Sequence, residues 1–413
     1  MTPSRPPRTG HARPRVRPPA RRRVALAVLL AACATPPMHA QDTGSRPQDA
    51  PAAPPSHAVF WAGTSRPVRV DRLTPQGPVP AGSDEPIAWH RVRTIEGPLA
   101  GGFERYRDRA RAVWRAGARL ERGDAAAAEP LFASAFEFYR GETGPTSAMV
   151  AEGLLRCRLA RDASVPALEA WASLLVACGN NPARAARRRY ALPPVIDART
   201  GLCPGLPPIF RPSPSLQRLS DLRTPGLSGE TGRIVAWYRA AARDELGRPT
   251  GLTELLLDAD PTPGEGLRLV RAIVLARIAG PDRRREAREE LAVLLERGEA
   301  DALAWTVPWI RTAAARSLAR DTRPADRRLA VARLLHTPVN HADRAPALAA
   351  LCLADAADVL DELGNRAGAD AVRGRLAQLF PAHPDAAVAA APRSSSSRPP
   401  DRPESRPDSR PPP

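Results

Sequence analysis

The side chains of this 413-residue chain that could carry chemistry are few and scattered. His336 and His341 stand close together, and a metal would need both imidazoles on one helix face beside a third ligand. Thr337-Pro338 between them predicts a break in the helix, and no carboxylate stands at a zinc-ligand spacing, so the pair reads as loop residues. Asp258 and Asp260 have the alternating spacing with which a loop offers oxygen atoms to calcium. Such a loop needs glycine at its sixth position and a bidentate glutamate at its twelfth, where this chain has Pro263 and Leu269. A helix ending in a polar turn accounts for those aspartates. There is no Gly-x-Ser-x-Gly, no phosphate-binding Gly-Lys motif and no paired-carboxylate context. The expectation is therefore a chain with no catalytic residue, no metal ligand and no cofactor.

Charge points no more firmly to a ligand. The formal charge is +17, and every basic residue is arginine. Eight arginines (Arg5, Arg8, Arg13, Arg15, Arg17, Arg21, Arg22 and Arg23) precede the first apolar run with no acid among them, so nearly half of the excess lies there. Further along, arginines alternate with acids, as in Glu104-Arg105-Tyr106-Arg107-Asp108-Arg109. That pattern makes solvated helix faces rather than a phosphate-binding stripe, and it disfavours a nucleic-acid partner.

Behind Arg21-Arg22-Arg23, residues 24–32 are Val-Ala-Leu-Ala-Val-Leu-Leu-Ala-Ala. The run is too short to span a bilayer, which takes about 20 residues, and has the form of a secretory signal. Leu30-Ala31-Ala32-Cys33 resembles the lipobox of bacterial envelope lipoproteins. The resemblance implies removal of the leader in 1–33, lipidation of Cys33, membrane attachment through that lipid, and a periplasmic or outer-membrane location in the cell envelope. The alternative is Ala-x-Ala cleavage after Ala34, using Ala32 and Ala34, which discards Cys33 and leaves a soluble exported product.

Composition then divides the remainder. Residues 34–58 are rich in Pro and Ala and read as an extended tether, and 386–413 as a disordered Pro/Arg/Ser tail. Residues 59–99 carry short apolar or alternating runs (Val59-Phe60-Trp61, Val68-Arg69-Val70, Ile87-Ala88-Trp89, then Val92 and Ile95) and predict three or four strands, interrupted by Pro75, Pro78 and Pro80. Residues 103–385 are helical in period. The predicted fold is mainly α: stacked helix hairpins in a solenoid, behind a small N-terminal β segment and between disordered Pro-rich termini.

The helical pattern is clearest at 110–122 and 125–139, broken at Gly123-Asp124, and again at 148–161 and 165–178, broken at Asp162-Ala163. In the first hairpin, Ala116, Ala128, Phe132 and Ala135 occupy the small and aromatic positions that make this segment resemble the tetratricopeptide repeat. Arg115 and Arg140 depart from that pattern, where a large apolar residue and a proline are usual, and Trp114 stands beside the first gap. Ala167, Trp171 and Leu174 repeat the spacing 39 residues on, against a family period of about 34. A last hairpin turns at Gly364-Asn365 and ends at Pro381, with Arg373 in the aromatic position. The resemblance covers two or three units. It implies hairpins that bury their apolar stripes by stacking and leave a groove for a protein or peptide partner.

Proline crowds 180–225, which predicts an insertion without regular helix. Tyr190, Leu192, Val195, Ile196, Leu202, Leu206, Ile209 and Phe210 within it predict that part of the insertion packs on the helices. After export Cys157, Cys178, Cys203 and Cys352 would remain, and four cysteines allow three pairings. Cys352 lies on an apolar stripe and reads as a buried thiol. Cys178 ends a helix and Cys203 lies in the insertion, so a Cys178–Cys203 bridge would staple the insertion to the scaffold.

These readings converge on a non-catalytic, envelope-anchored scaffold or adaptor whose helical groove holds a protein or peptide. Two alternatives stand beside it: a cell-envelope hydrolase using the insertion as a lid, and a basic module binding an anionic polymer.

Overall fold

A computed structural model describes residues 54–61, 66–257, 262–300 and 304–386. Cys33, the leader, most of the tether, Asp258, Asp260 and 387–413 lie outside them.

The described chain opens with strands β1 (Ser56–Phe60), β2 (Val68–Thr74), β3 (Gly77–Pro80) and β4 (Val92–Glu96), an antiparallel sheet in the order β3-β2-β1-β4. Ser56 pairs with Val70, Ala58 with Val68 on one side and Ile95 on the other. β1 thus begins inside the stretch read as tether, because Ala58, Val70, Val92 and Ile95 share a buried face that needs a central strand there. Ile87-Ala88-Trp89 is not a strand. It leads into a 3₁₀ turn at Trp89–Arg91 that drops the Trp89 ring onto Phe103 and Tyr106, at centroid distances of 5.5 and 4.6 Å. The strand that replaces it, β3, contains Pro78 and Pro80. Proline cannot donate to a ladder, and β3 tolerates two because it is an edge strand. Gly77 is required at its start: a methyl group there would sit 1.7 Å from the Ile87 carbonyl oxygen.

The helices that follow are α1 (Ala100–Glu121), α2 (Ala125–Tyr139), α3 (Pro145–Ala160) and α4 (Ser164–Ala177). Asp124 caps α2 by accepting from the Ala127 amide at 3.1 Å, and Pro145 opens α3 at a position where a missing N–H costs nothing. After short α5 (Pro182–Ala185) and α6 (Leu216–Ser220) come α7 (Gly229–Glu245), α8 (Leu252–Leu257), α9 (Glu265–Ile278), α10 (Pro281–Ala300), α11 (Thr306–Ala319), α12 (Pro324–His341), α13 (Pro346–Glu362) and α14 (Arg366–Leu379). From α1 to α4 and from α9 to α14, each helix packs against the next. Alternate helices also touch: α1 with α3, α7 with α9, α9 with α11 and α11 with α13. The protein is mainly helical, with one small antiparallel sheet at its N-terminal side. Among the described residues no helix is long and apolar enough to cross a membrane.

The sheet is joined to the helices by a polar contact. Gln76, in the β2–β3 turn, is buried against the start of α3. Its Nε2 donates to Ser147 Oγ at 2.8 Å, its Oε1 accepts the Ser147 amide at 3.0 Å, and its carbonyl accepts Thr146 Oγ1 at 2.6 Å. Thr146 Oγ1 in turn accepts the Trp89 amide at 2.9 Å. One orphan amide of a helix N-terminus, that of Ser147, is thus met from a turn some 70 residues away in sequence.

Helix α12 corrects the reading of His336 and His341. It runs through Pro338 to His341, with the two rings 5.9 Å apart. A proline inside a helix costs about 3 kcal/mol. Burial of Leu334 and Thr337, with Thr337 Oγ1 3.2 Å from Thr312 Oγ1 on α11, offsets it.

Candidate functional site

The residues expected to pack the hairpins are together in the interior. Ala116, Ala128, Phe132, Ala135, Ala167, Trp171 and Leu174 are all buried in one continuous core. Phe132 lies against Gly153 of α3 and meets the Tyr190 ring edge-on at 6.3 Å. Trp171 donates its indole N–H to the Gly201 carbonyl at 3.1 Å. Two of these seven therefore contact the Pro-rich segment as well as the helices.

That segment is held by contacts from several helices at once. Residues 206–213 form no helix or strand, and Leu206, Pro208, Ile209 and Phe210 are buried. Side chains from separate helices hold its backbone carbonyls: Tyr238 of α7 donates to Leu206, and Arg316 of α11 donates to Phe210 at 2.9 Å. The Phe210 ring lies 6.2 Å from that of Tyr238. Arg211 then reaches α13, pairing with Asp355, with Asp358 at 2.8 Å and with Asp385, just past α14, at 3.0 Å. The segment crosses α7, α9 and α11 like a strap, and the space left between it and Ala241, Ile273, Ala313 and Arg316 is about 10 Å³. That is near the smallest void that admits one water. Upstream, Gly266 of α9 lets the turn at 198–200 approach closely, since a methyl group there would stand 2.1 Å from the Thr200 carbonyl oxygen.

The strap rests on a buried charge network. Arg316 Nε is 2.7 Å from Asp355, and its Nη2 is 3.2 Å from Glu245, which also accepts Arg277 at 3.0 Å. Burial, and then the neighbouring Arg316, push Arg277 down to about 10. Burial also works against the charge of Arg211, but Asp355, Asp358 and Asp385 together outweigh it and hold that guanidinium above its ordinary range. Buried ions need such partners, because a bare charge in this environment costs several kcal/mol, roughly. The carboxylates that converge here converge on arginine.

A second cluster fixes the upstream part of the insertion. Glu152 of α3, 2% exposed, accepts Arg156 at 2.7 Å and Arg189 at 2.9 Å. Arg189 also donates to the Ala185 carbonyl at 2.9 Å and to Cys178 Sγ at 3.0 Å, while the Tyr190 hydroxyl donates to the Met149 carbonyl at 2.7 Å. Cys178 and Cys203, the pair expected to bridge, stand as free, buried thiols in this structure. Cys178 faces a guanidinium, Cys203 takes the Gly205 amide, and the insertion is docked by carbonyl and ion-pair contacts instead.

Elsewhere, both nitrogens of His336 lie against Arg311 Nη1, at 3.2 and 2.6 Å. Burial and then Arg311 lower the pKa of His336, and His341 is lowered by burial and then by His336. No group of three metal-ligating side chains occurs among the described residues. A cavity of about 50 Å³ opens between α9, α10 and α11, floored by Leu269 and Ile310 and rimmed by Arg199, Arg268 and Arg297. Arg199 pairs with Glu265 there, and Arg268 with Glu290.

Comparison with protein-family models, curated proteins and solved structures finds no match. The site is thus read from its own geometry. The apolar anchors of the strap were visible in sequence, but its partners Tyr238, Glu245, Arg316 and Asp355 were not. The one available signal was Arg316, a charge on the face of α11 that also carries buried Trp309, Thr312 and Ala313.

Proposed function

We propose that the chain is a non-catalytic scaffold of tetratricopeptide-like hairpins stacked as a solenoid, whose inner helix faces hold an extended peptide, and that lipidated Cys33 tethers it to the bacterial envelope. The observation that carries the peptide-holding part is the strap: donors from α7 and α11 grip the carbonyls of an extended segment, and acids on α13 grip its arginine. An extended peptide offers such carbonyls whatever its sequence, and pockets for alternate side chains add selectivity. The paired state of the converging acids supports scaffold over hydrolase, since general acid–base work needs a carboxylate that can exchange its proton. The rim of Arg199, Arg268 and Arg297 is the feature that favours an anionic polymer, although two of its three arginines already have carboxylate partners.

Two experiments test the reading. Purified protein incubated with isolated cell-wall sacculi should release no soluble fragments, and release that disappears on heat inactivation would overturn the non-catalytic assignment. Mass spectrometry of the mature N-terminus should find a lipid on Cys33, and Cys33→Ser should free the protein from membranes. An unmodified N-terminus at Thr35 would replace the anchor with a soluble exported product.

A further inference from the structure

The strap is bound as a separate peptide would be. Its contacts run to helices that follow it by about 30 to 150 residues, and they combine three kinds of recognition: carbonyls held by Tyr238 and Arg316, apolar side chains seated on Ala241, Ile273 and Ala313, and a guanidinium enclosed by three carboxylates. Prolines at 204, 207, 208, 212 and 214 keep it extended before it docks, which lowers the entropy lost on binding.

We infer that the faces of α7, α9, α11 and α13 form a recognition groove for extended Pro-Pro-apolar-aromatic-Arg peptides, with Asp355, Asp358 and Asp385 as its arginine pocket, and that residues 204–214 are a built-in competitor for it. This rests on the scaffold reading and names the chemistry of its partner. A tethered competitor acts at high effective concentration, so a free peptide of equal quality cannot displace it readily. Access to the groove is therefore set by whatever loosens the strap. The end of the strap that solvent reaches is Arg211, which is partly exposed, whereas Phe210 is buried. A partner that brings its own arginine to the three acids replaces Arg211 at no cost in unpaired charge.

The test uses the full chain and a fluorescein-labelled synthetic peptide of residues 204–214. Fluorescence anisotropy should detect little binding to the parent. Phe210→Ala combined with Arg211→Gln removes two of the strap's anchors and leaves the groove intact, and it should bind the peptide at least tenfold more tightly than the parent does. A peptide whose arginine is replaced by glutamine should lose most of that gain. A variant that keeps the parent's circular dichroism and cooperative melt yet ignores the peptide overturns the inference. Limited proteolysis of the parent decides the matter if the variant fails to fold. Chymotryptic cleavage after Phe210 that outpaces global unfolding supports a displaceable strap, and cleavage only on global unfolding shows a fixed core element and overturns it. Either failure leaves the scaffold reading to its own test, the release of cell-wall fragments.

Discussion

Gly153→Ala should change the sign of its effect according to what stands at position 132. A methyl group on Gly153 would lie 2.3, 2.5 and 2.6 Å from three atoms of the Phe132 ring, closer than side chains approach. The ring cannot withdraw, because it is fully buried and Tyr190 stands behind it with its hydroxyl tied to the Met149 carbonyl. Overpacking of this kind costs about 1–3 kcal/mol, and the rigid neighbour puts it at the upper end. Alanine returns about 1 kcal/mol of helix propensity over glycine, so the single variant should lose roughly 2 kcal/mol. Phe132→Ala alone should lose about 3–5 kcal/mol through the cavity it leaves. With the ring gone, the atoms that crowd position 153 most closely are removed, and Gly153→Ala fills part of the void and gains its propensity, so it should stabilise the Phe132→Ala background by about 1 kcal/mol. The coupling in a double-mutant cycle is then about 3 kcal/mol. Urea unfolding followed by far-ultraviolet circular dichroism measures all four proteins. Equal costs of Gly153→Ala in both backgrounds would refute the packing of α2 on α3 described above.

Three further outcomes are expected. Glu152→Ala leaves Arg156 and Arg189 in a site built for a carboxylate and should cost about 3–5 kcal/mol, with Glu152→Gln milder; an Ala variant within 1 kcal/mol of the parent, roughly the worth of a surface pair, contradicts that assignment. His90, held down to about 4 by burial and then by Arg91, stays neutral in the folded state while its unfolded counterpart takes up a proton below about 6.5; stability should therefore fall between pH 6.5 and 4, by about 2 kcal/mol at pH 5, and His90→Asn should flatten that slope. Burial pushes Cys157, Cys203 and Cys352 up to about 12 and raises Cys178, so a thiolate-selective reagent at pH 8 should label none of them until the protein unfolds, and a Cys178–Cys203 peptide in a non-reducing digest would refute the free-thiol arrangement.

Much of the helical region was legible in advance because its signals are local. Gly123-Asp124, Asp162-Ala163 and Gly364-Asn365 all mark real turns between helices, and the stripe through Ala128, Phe132 and Ala135 is buried. What escaped notice was decided over longer distances. β3 carries two prolines, and only its place at the sheet edge makes them harmless. Pro338 reads as a breaker until the packing around Leu334 and Thr337 is known. The strap's anchors could be listed, but not their seats, since Phe210 and Arg316 lie 106 residues apart. With every cation an arginine, nothing in composition sets Arg316 or Arg211 apart from the solvated ones. For Cys178 and Cys203, a spacing in sequence carries no information on where two sulfur atoms point.

The seat of Gln76 on α3 also bears on the order in which the protein can assemble. The strands are made first, yet the turn between β2 and β3 finds its partners only when Thr146 and Ser147 have been added. Closing so long a loop carries an entropy cost that helix hairpins, with their near-neighbour contacts, avoid. The first part of the body to leave the ribosome is therefore completed only after α1, α2 and the start of α3 have been made, and a chain halted before residue 147 should hold β2 and β3 with their turn unsecured. Fragments that start at α1 face the converse problem: they fold without the residue that satisfies the first turn of α3, and fraying there would spread toward Glu152 and the anchor of the insertion.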